Sequence, residues 1–378
     1  MHTYMTWNLD TILARTGTEP DPETGALAPP IHTATTYVRN SDGQPGEFVY
    51  SRLGNPTRQR LEHALSESEA GTGAVAFSSG MTAAMTLCQS LRPGDHVLLP
   101  HDIYFGVRTL LMEHFTRWGL QVSDVDQRDL DAVARAMTPK TRLVWAETPS
   151  NPQLNVTDIR AIADLAHEAG AALVVDNTWA TPLITRPIEL GADIVLHSVT
   201  KYLGGHSDVL GGALIFARDD AWYQDAVRLA SEGGAVLDPF GSWLVLRGMR
   251  SLAPRLRQQS ATASELAHWL ESHPGVESVN YPGLTSHSGH PIACKQMSMF
   301  GGMLSFCVRG GADQALRVVH RSQLFANATS LGGTESLMEH RASIEGPDTP
   351  TPPNLLRVSV GLEHGNDLKS DLDQALGS

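Results

Sequence analysis

Lys201 lies in the stretch His197-Ser198-Val199-Thr200-Lys201-Tyr202-Leu203-Gly204-Gly205-His206-Ser207-Asp208, directly after the apolar run Ile194-Val195-Leu196. A lysine at the end of a buried strand is partly desolvated. That lowers its ammonium pKa and frees the neutral amine for carbonyl chemistry, as a Schiff-base lysine requires. Ser198 and Thr200 offer donors to an anion, and Gly204-Gly205 lets backbone approach a ligand closely. Asp176 ends a second continuous apolar run, Val174-Val175. Unpaired and buried there it would be costly, so it calls for a cationic partner, unless it only caps a helix. Arg357, set among the hydrophobics of Leu355-Leu356-Arg357-Val358, needs a partner for the same reason.

Other candidates follow strands in the same way. Ser78-Ser79-Gly80-Met81-Thr82 opens a helix-like segment 83–90 after the run Ala74–Phe77. Free N–H groups and the positive dipole end at such a turn suit phosphate, although capping by Ser79 would give the same pattern. Tyr104 follows the run ending at Pro100, where an aromatic ring serves a site or fills a core. Asn151, in Glu147-Thr148-Pro149-Ser150-Asn151-Pro152, offers a donor and an acceptor on a Pro-bounded loop. Three patterns are set aside. Gly71-Thr72-Gly73-Ala74-Val75-Ala76 has the nucleotide-fingerprint glycines before a strand instead of after one. Ser198-Val199-Thr200-Lys201 spells the S-x-x-K of serine hydrolases, but no Lys-Thr-Gly accompanies it. His287-Ser288-Gly289-His290 lacks the acidic or Cys ligands that would complete a metal site.

The elements that must position these residues alternate. Apolar runs at 74–77, 97–99, 122–125, 143–146, 172–175, 194–196 and 213–216 are separated by helical segments. This predicts an α/β fold with a mostly parallel seven-stranded sheet between helices, whose ligands bind beyond the strands' carboxyl ends. Residues 1–60, rich in Pro, Gly and Thr, read as an extended arm, and 61–250 as the sheet domain. Residues 251–378 read as a smaller α+β domain, with an amphipathic stretch at 253–273, strands at 276–281, 302–308 and 355–360, and helices at 314–321 and 367–376. A chain of 378 residues suits one large domain with a smaller partner. Lys+Arg 28 against Asp+Glu 41 gives a net charge of −13 with no basic run, which argues against nucleic acid or an anionic membrane as partner. Three widely spaced cysteines, no export signal at Met1–Asn8 and no membrane-length apolar run predict a cytoplasmic metabolic protein.

Ser198–Asp208 resembles the pyridoxal-phosphate lysine signature of the Cys/Met metabolism (trans-sulfuration) enzymes. Tyr50-Ser51-Arg52-Leu53-Gly54-Asn55-Pro56-Thr57 resembles their Tyr-x-Arg-x-x-Asn-Pro-Thr element, and Ser330-Leu331-Gly332-Gly333-Thr334-Glu335-Ser336 and Leu355–Glu363 resemble their substrate-side segments. The likeness runs over nearly the whole chain. It implies a type I PLP-dependent transferase-like fold and pyridoxal 5'-phosphate as cofactor. Lys201 would hold the cofactor aldehyde and act as base, Asp176 would keep the ring nitrogen protonated, and the ring of Tyr104 would stack on the pyridine. Gly80, Met81, Ser198 and Thr200 would bind the phosphate. Tyr50 and Arg52 would reach the phosphate of a neighbouring subunit, which implies a homo-oligomer, a dimer at minimum with a tetramer expected. Asn151, Ser330 and Arg357 would hold the amino-acid substrate, Arg357 taking its α-carboxylate bidentately. The implied activity is γ-replacement or γ-elimination on sulfur amino acids, of the cystathionine γ-synthase or γ-lyase type. A β-lyase or methionine γ-lyase type of C–S cleavage and a non-catalytic relative are the alternatives. Leu331 stands where the family's β-lyases commonly carry Trp, which favours γ-chemistry. Thr329 stands where a Glu usually serves the γ-synthases and cystathionine γ-lyases, which weakens recognition of cystathionine's distal ammonium. Phe105 and Val107 depart from the usual Tyr-Gly-Gly-Thr at the Tyr104 turn.

Overall fold

The computed structural model describes residues 7–346 and 351–377. Residues 1–6, most of the segment read above as lacking an export signal, lie outside the described ones. The seven apolar runs form seven strands: β1 (Gly73–Phe77), β2 (His96–Pro100), β3 (Gln121–Val125), β4 (Thr141–Glu147), β5 (Ala172–Asp176), β6 (Ile194–His197) and β7 (Gly212–Phe216). They make one sheet in the order β1-β7-β6-β5-β4-β2-β3. β7 pairs antiparallel with both of its neighbours and the other pairings are parallel. The runs are continuous because both faces are covered. Val174 and Leu196 belong to a core cluster on one face, with Leu87 and Cys88 of the helix Gly80–Gln89, whereas Leu173 and Val175 pack on the other with Ile159 and Ile162. Each such buried side chain contributes roughly 1.5–3 kcal/mol, so the strand ends are firmly seated.

The smaller sheet has the order β10-β11-β9-β8, all antiparallel, from β8 (Val276–Asn280), β9 (Met303–Val308), β10 (Leu337–His340) and β11 (Leu355–Ser359). The 20-residue helix Leu252–Glu271 ties it to the larger sheet. From this helix Arg255 Nη2 donates to the Tyr202 carbonyl at 3.0 Å, and Gln259 Nε2 to the Gly333 carbonyl at 2.7 Å. Gly332, at φ 77°, lies so close that a Cβ there would meet the Tyr202 backbone nitrogen at 2.7 Å. Only glycine fits that approach, and it lays the 330–333 loop against the Lys201 turn.

Among the elements that depart from the sequence reading are a helix in the arm and a strand beside the site. The arm contains a helix, Leu9–Arg15, whose Leu13 is fully buried. Seven residues are too few for a periodicity to stand out, and tertiary packing stabilises the helix. β10 was also not expected: four residues with Glu339 inside them do not read as a strand, yet all four are buried. Among the described residues no helix is long and apolar enough to cross a membrane, and no cluster of His, Cys, Asp or Glu could hold a metal ion.

Candidate active site

The carboxyl ends of β1, β2, β4, β5 and β6 open into one cavity. β7, running the other way, begins at the same edge. A Cβ on Gly212 would meet the Ser79 carbonyl oxygen at 2.2 Å, so glycine there lets the Ser79-Gly80 turn close over the sheet. Lys201 and Asp176, from adjacent strands, both line this cavity. Gly80, Met81, Ser198 and Thr200 line it as well, and so do Tyr104, Asn151, Ser330 and Arg357. Tyr50 and Arg52 do not. Arg52 Nη1 donates to the Ser231 carbonyl at 2.5 Å and lies 5.6 Å from the Tyr50 ring centroid, with both residues exposed.

Lys201 Nζ donates to Ser330 Oγ at 2.7 Å. The S-x-x-K reading would need that amine on Ser198, and the structure directs it to Ser330. Burial, assisted by the positive charge of Arg357, lowers the Lys201 ammonium to about 8. In the cofactor-free protein the rate of cofactor uptake, followed by absorbance, should therefore rise with pH up to about 8 and level off above it. An ordinary lysine would keep accelerating until about pH 10. Ser330 itself sits at φ 110°, a strained position for a non-glycine residue, held by Arg357 Nη2 donating to its carbonyl at 3.1 Å.

Asp176 Oδ1 accepts the Thr178 N–H at 3.0 Å but caps no helix, and the next helix begins at Thr181. Glu147 ends β4 directly beside it in register and accepts the Tyr104 N–H at 2.8 Å. Burial and the neighbouring Asp176 push the Glu147 carboxyl well above the usual carboxylate range, and burial raises Asp176 too. Among the described residues Asp176 has no Lys or Arg ion pair. Asp176 is thus a carboxylate seated beside a second one, a setting in which a cationic partner lowers the cost of its charge. The Tyr104 ring is 39 % exposed and lines the cavity, so it is not a core side chain.

Ser79 caps the helix Gly80–Gln89, its Oγ accepting the Thr82 N–H at 3.1 Å. The capping and phosphate readings are compatible, since the first N–H groups of the helix have no intrahelical acceptor. Ser198 Oγ has no partner among the described residues, whereas Thr200 spends its hydroxyl proton on the Gly211 carbonyl at 3.1 Å. Ser198 is accordingly the better anion donor of the two.

Arg357 is 4 % exposed, and its partner is not left to a ligand alone. Nη2 donates to Glu339 Oε2 at 2.7 Å and Nη1 to Asn151 Oδ1 at 3.1 Å. Glu339 is Arg357's direct cross-strand partner on β10, so missing that strand also hid the pair. Burial and Arg341 lower Arg357 to about 10, which leaves it charged at neutral pH. Sequence reasoning did not single out Glu147, Glu339 or Arg341. Glu147 carried the same signal as Asp176, a carboxylate ending an apolar strand.

The donor set fits the cofactor implied by the resemblance: a desolvated amine for its aldehyde, an unpaired carboxylate for its ring nitrogen, and a helix start with Ser198 for its phosphate. Comparison with known proteins agrees. A family model described as Cys/Met metabolism PLP-dependent enzyme matches residues 10–377. The chain is 48% identical over 368 residues to a cystathionine gamma-synthase of Mycobacterium tuberculosis, covering 96% of this chain and 95% of that one. It is 43% identical over 378 residues to a cystathionine beta-lyase of Coxiella burnetii, covering 98% of each. The solved cystathionine gamma synthase of Xanthomonas oryzae pv. oryzae, in complex with aminoacrylate and cysteine, superposes with a TM-score of 0.95 at 37% identity over 98% of each chain.

Proposed function

This chain belongs to the Cys/Met metabolism PLP-dependent enzymes, and from that premise we propose that it catalyses γ-replacement, joining cysteine to an O-acyl-homoserine. It is a PLP-dependent trans-sulfuration enzyme. When bound, pyridoxal phosphate supplies an electron sink for charge released at the substrate's α-carbon. The protein supplies the rest. Lys201 would hold the aldehyde, and its amine, once free, would take the substrate's Cα proton, return that proton to the cofactor-bound substrate, and so be neutral again to take one at Cβ, which its flexible stem can reach. Ser330 Oγ, 2.7 Å from Nζ, aims that amine. Asp176 would keep the ring nitrogen charged, the Tyr104 ring would stack on the pyridine, and Arg357 with Asn151 would take the α-carboxylate.

The observation that carries γ-replacement is Leu331, which lines the cavity where the family's β-lyases commonly carry Trp. Thr329, in the same wall, spends its hydroxyl on Glu339 at 2.6 Å. The 48% identity to a γ-synthase points the same way. Purified protein given O-acyl-homoserine and cysteine should form cystathionine. Pyruvate from cystathionine alone would overturn the reading in favour of a β-lyase, and 2-oxobutyrate in favour of a γ-lyase.

Val38, Leu27 and Leu53 of the arm are 93%, 69% and 57% exposed, an apolar content that suits a covered surface. We place the arm on a second copy, with Tyr50 and Arg52 completing the neighbour's phosphate site, in a homo-oligomer working in the cytoplasm. Equal mixing of inactive Lys201→Ala and Arg52→Ala chains should then restore activity at about a quarter of the sites, since half the dimers are hybrids with one intact site. No gain on mixing would place Arg52 outside the neighbour's site.

A further inference from the structure

The wall that faces the substrate's α-carboxylate carries more charge than one arginine requires. Glu339, Arg341 and Arg357 are each 3–4% exposed. Glu339 Oε2 accepts from Arg357 Nη2 at 2.7 Å and from Arg341 Nη1 at 2.9 Å, while Oε1 takes the Thr329 hydroxyl at 2.6 Å. On its other side Arg341 donates to Glu345 Oε1 from Nη2 at 2.7 Å and Nε at 3.1 Å. Two guanidiniums thus meet two carboxylates, and the group is neutral before any substrate arrives. Arg357 and Arg341 line the cavity, whereas Glu339 and Glu345 are not among its lining side chains.

Without Arg341 the count would be one guanidinium against two carboxylates. Glu339 would then neutralise Arg357 alone, and the net negative charge would oppose an incoming carboxylate. We propose that Arg341 is a positioning residue for substrate binding. By sharing Glu339 Oε2 with Arg357 it takes up that carboxylate's charge, so that Glu339 can orient the Arg357 guanidinium without cancelling its pull on the substrate. This rests on the reading of Arg357 as the α-carboxylate site.

The test uses the cofactor-loaded enzyme and reads the absorbance change of the bound cofactor on titration with L-alanine, or with ethylamine as the carboxylate-free control. Arg341→Met should weaken L-alanine binding about tenfold, the worth of one charge-assisted contact, and leave ethylamine binding unchanged. The double variant Glu339→Gln/Arg341→Met restores neutrality and should recover L-alanine binding to within about threefold of the parent. Arg341→Gln replaces Arg341→Met in both if the latter does not fold. The proposal fails if Arg341→Met binds L-alanine as the parent does, if it weakens both ligands alike, or if the double variant is no better than the single. Arg357→Met tests the underlying reading separately. If it still prefers L-alanine over ethylamine, Arg357 is not the carboxylate site, whatever the Arg341 variants do.

Discussion

Replacing Lys201 by alanine is expected to lower kcat by about 10³-fold or more, with cofactor supplied in excess. The chain has four lysines, and the other three, Lys140, Lys295 and Lys369, are exposed. None can stand in for the amine on Ser330. Lys201→Arg should lose as much, because a guanidinium stays protonated and can neither condense with an aldehyde nor accept a proton. Lowering of the Lys201 ammonium to about 8 is what makes the wild-type amine available near neutral pH. Steady-state kinetics of the three proteins check this, and a variant retaining more than about a tenth of the activity would remove Lys201 from the base role.

Asp176→Asn should cost about 10²- to 10³-fold in kcat and weaken cofactor binding, the range found when one partner of an enclosed ion pair is removed. Asp176 sits beside Glu147 with no Lys or Arg ion pair among the described residues, and burial raises its carboxyl while the site awaits a cation. A protonated ring nitrogen relieves that cost, and a neutral amide cannot hold the nitrogen in its charged form. Asp176→Glu, which keeps the charge on a longer stem, should recover part of the loss. Equal activity in Asp176→Asn and wild type would sink the assignment.

The larger sheet was legible because strands covered on both faces leave uninterrupted apolar runs, and Lys201 and Asp176 were legible because each ends such a run. β10 was not, since Leu337–His340 buries a glutamate whose charge is met by Arg357 across the ladder and Arg341 round the corner. That cluster comes together only in three dimensions, which is why Arg357 looked partnerless in the sequence. The Thr200 hydroxyl could be counted as a donor but not seen to be tied to Gly211. Tyr50 and Arg52 carry a recognisable motif, yet one chain alone does not bring them to the cavity.

Every role assigned to the other cavity residues requires the Lys201 amine to be the point of covalent attachment for an aldehyde cofactor. Borohydride reduction of the yellow enzyme, followed by digestion and mass spectrometry, tests this directly. The expected result is a phosphopyridoxyl mass increment on the peptide containing Lys201 and on no other. An increment on Lys140, Lys295 or Lys369 instead, or an unmodified Lys201 peptide, would contradict it.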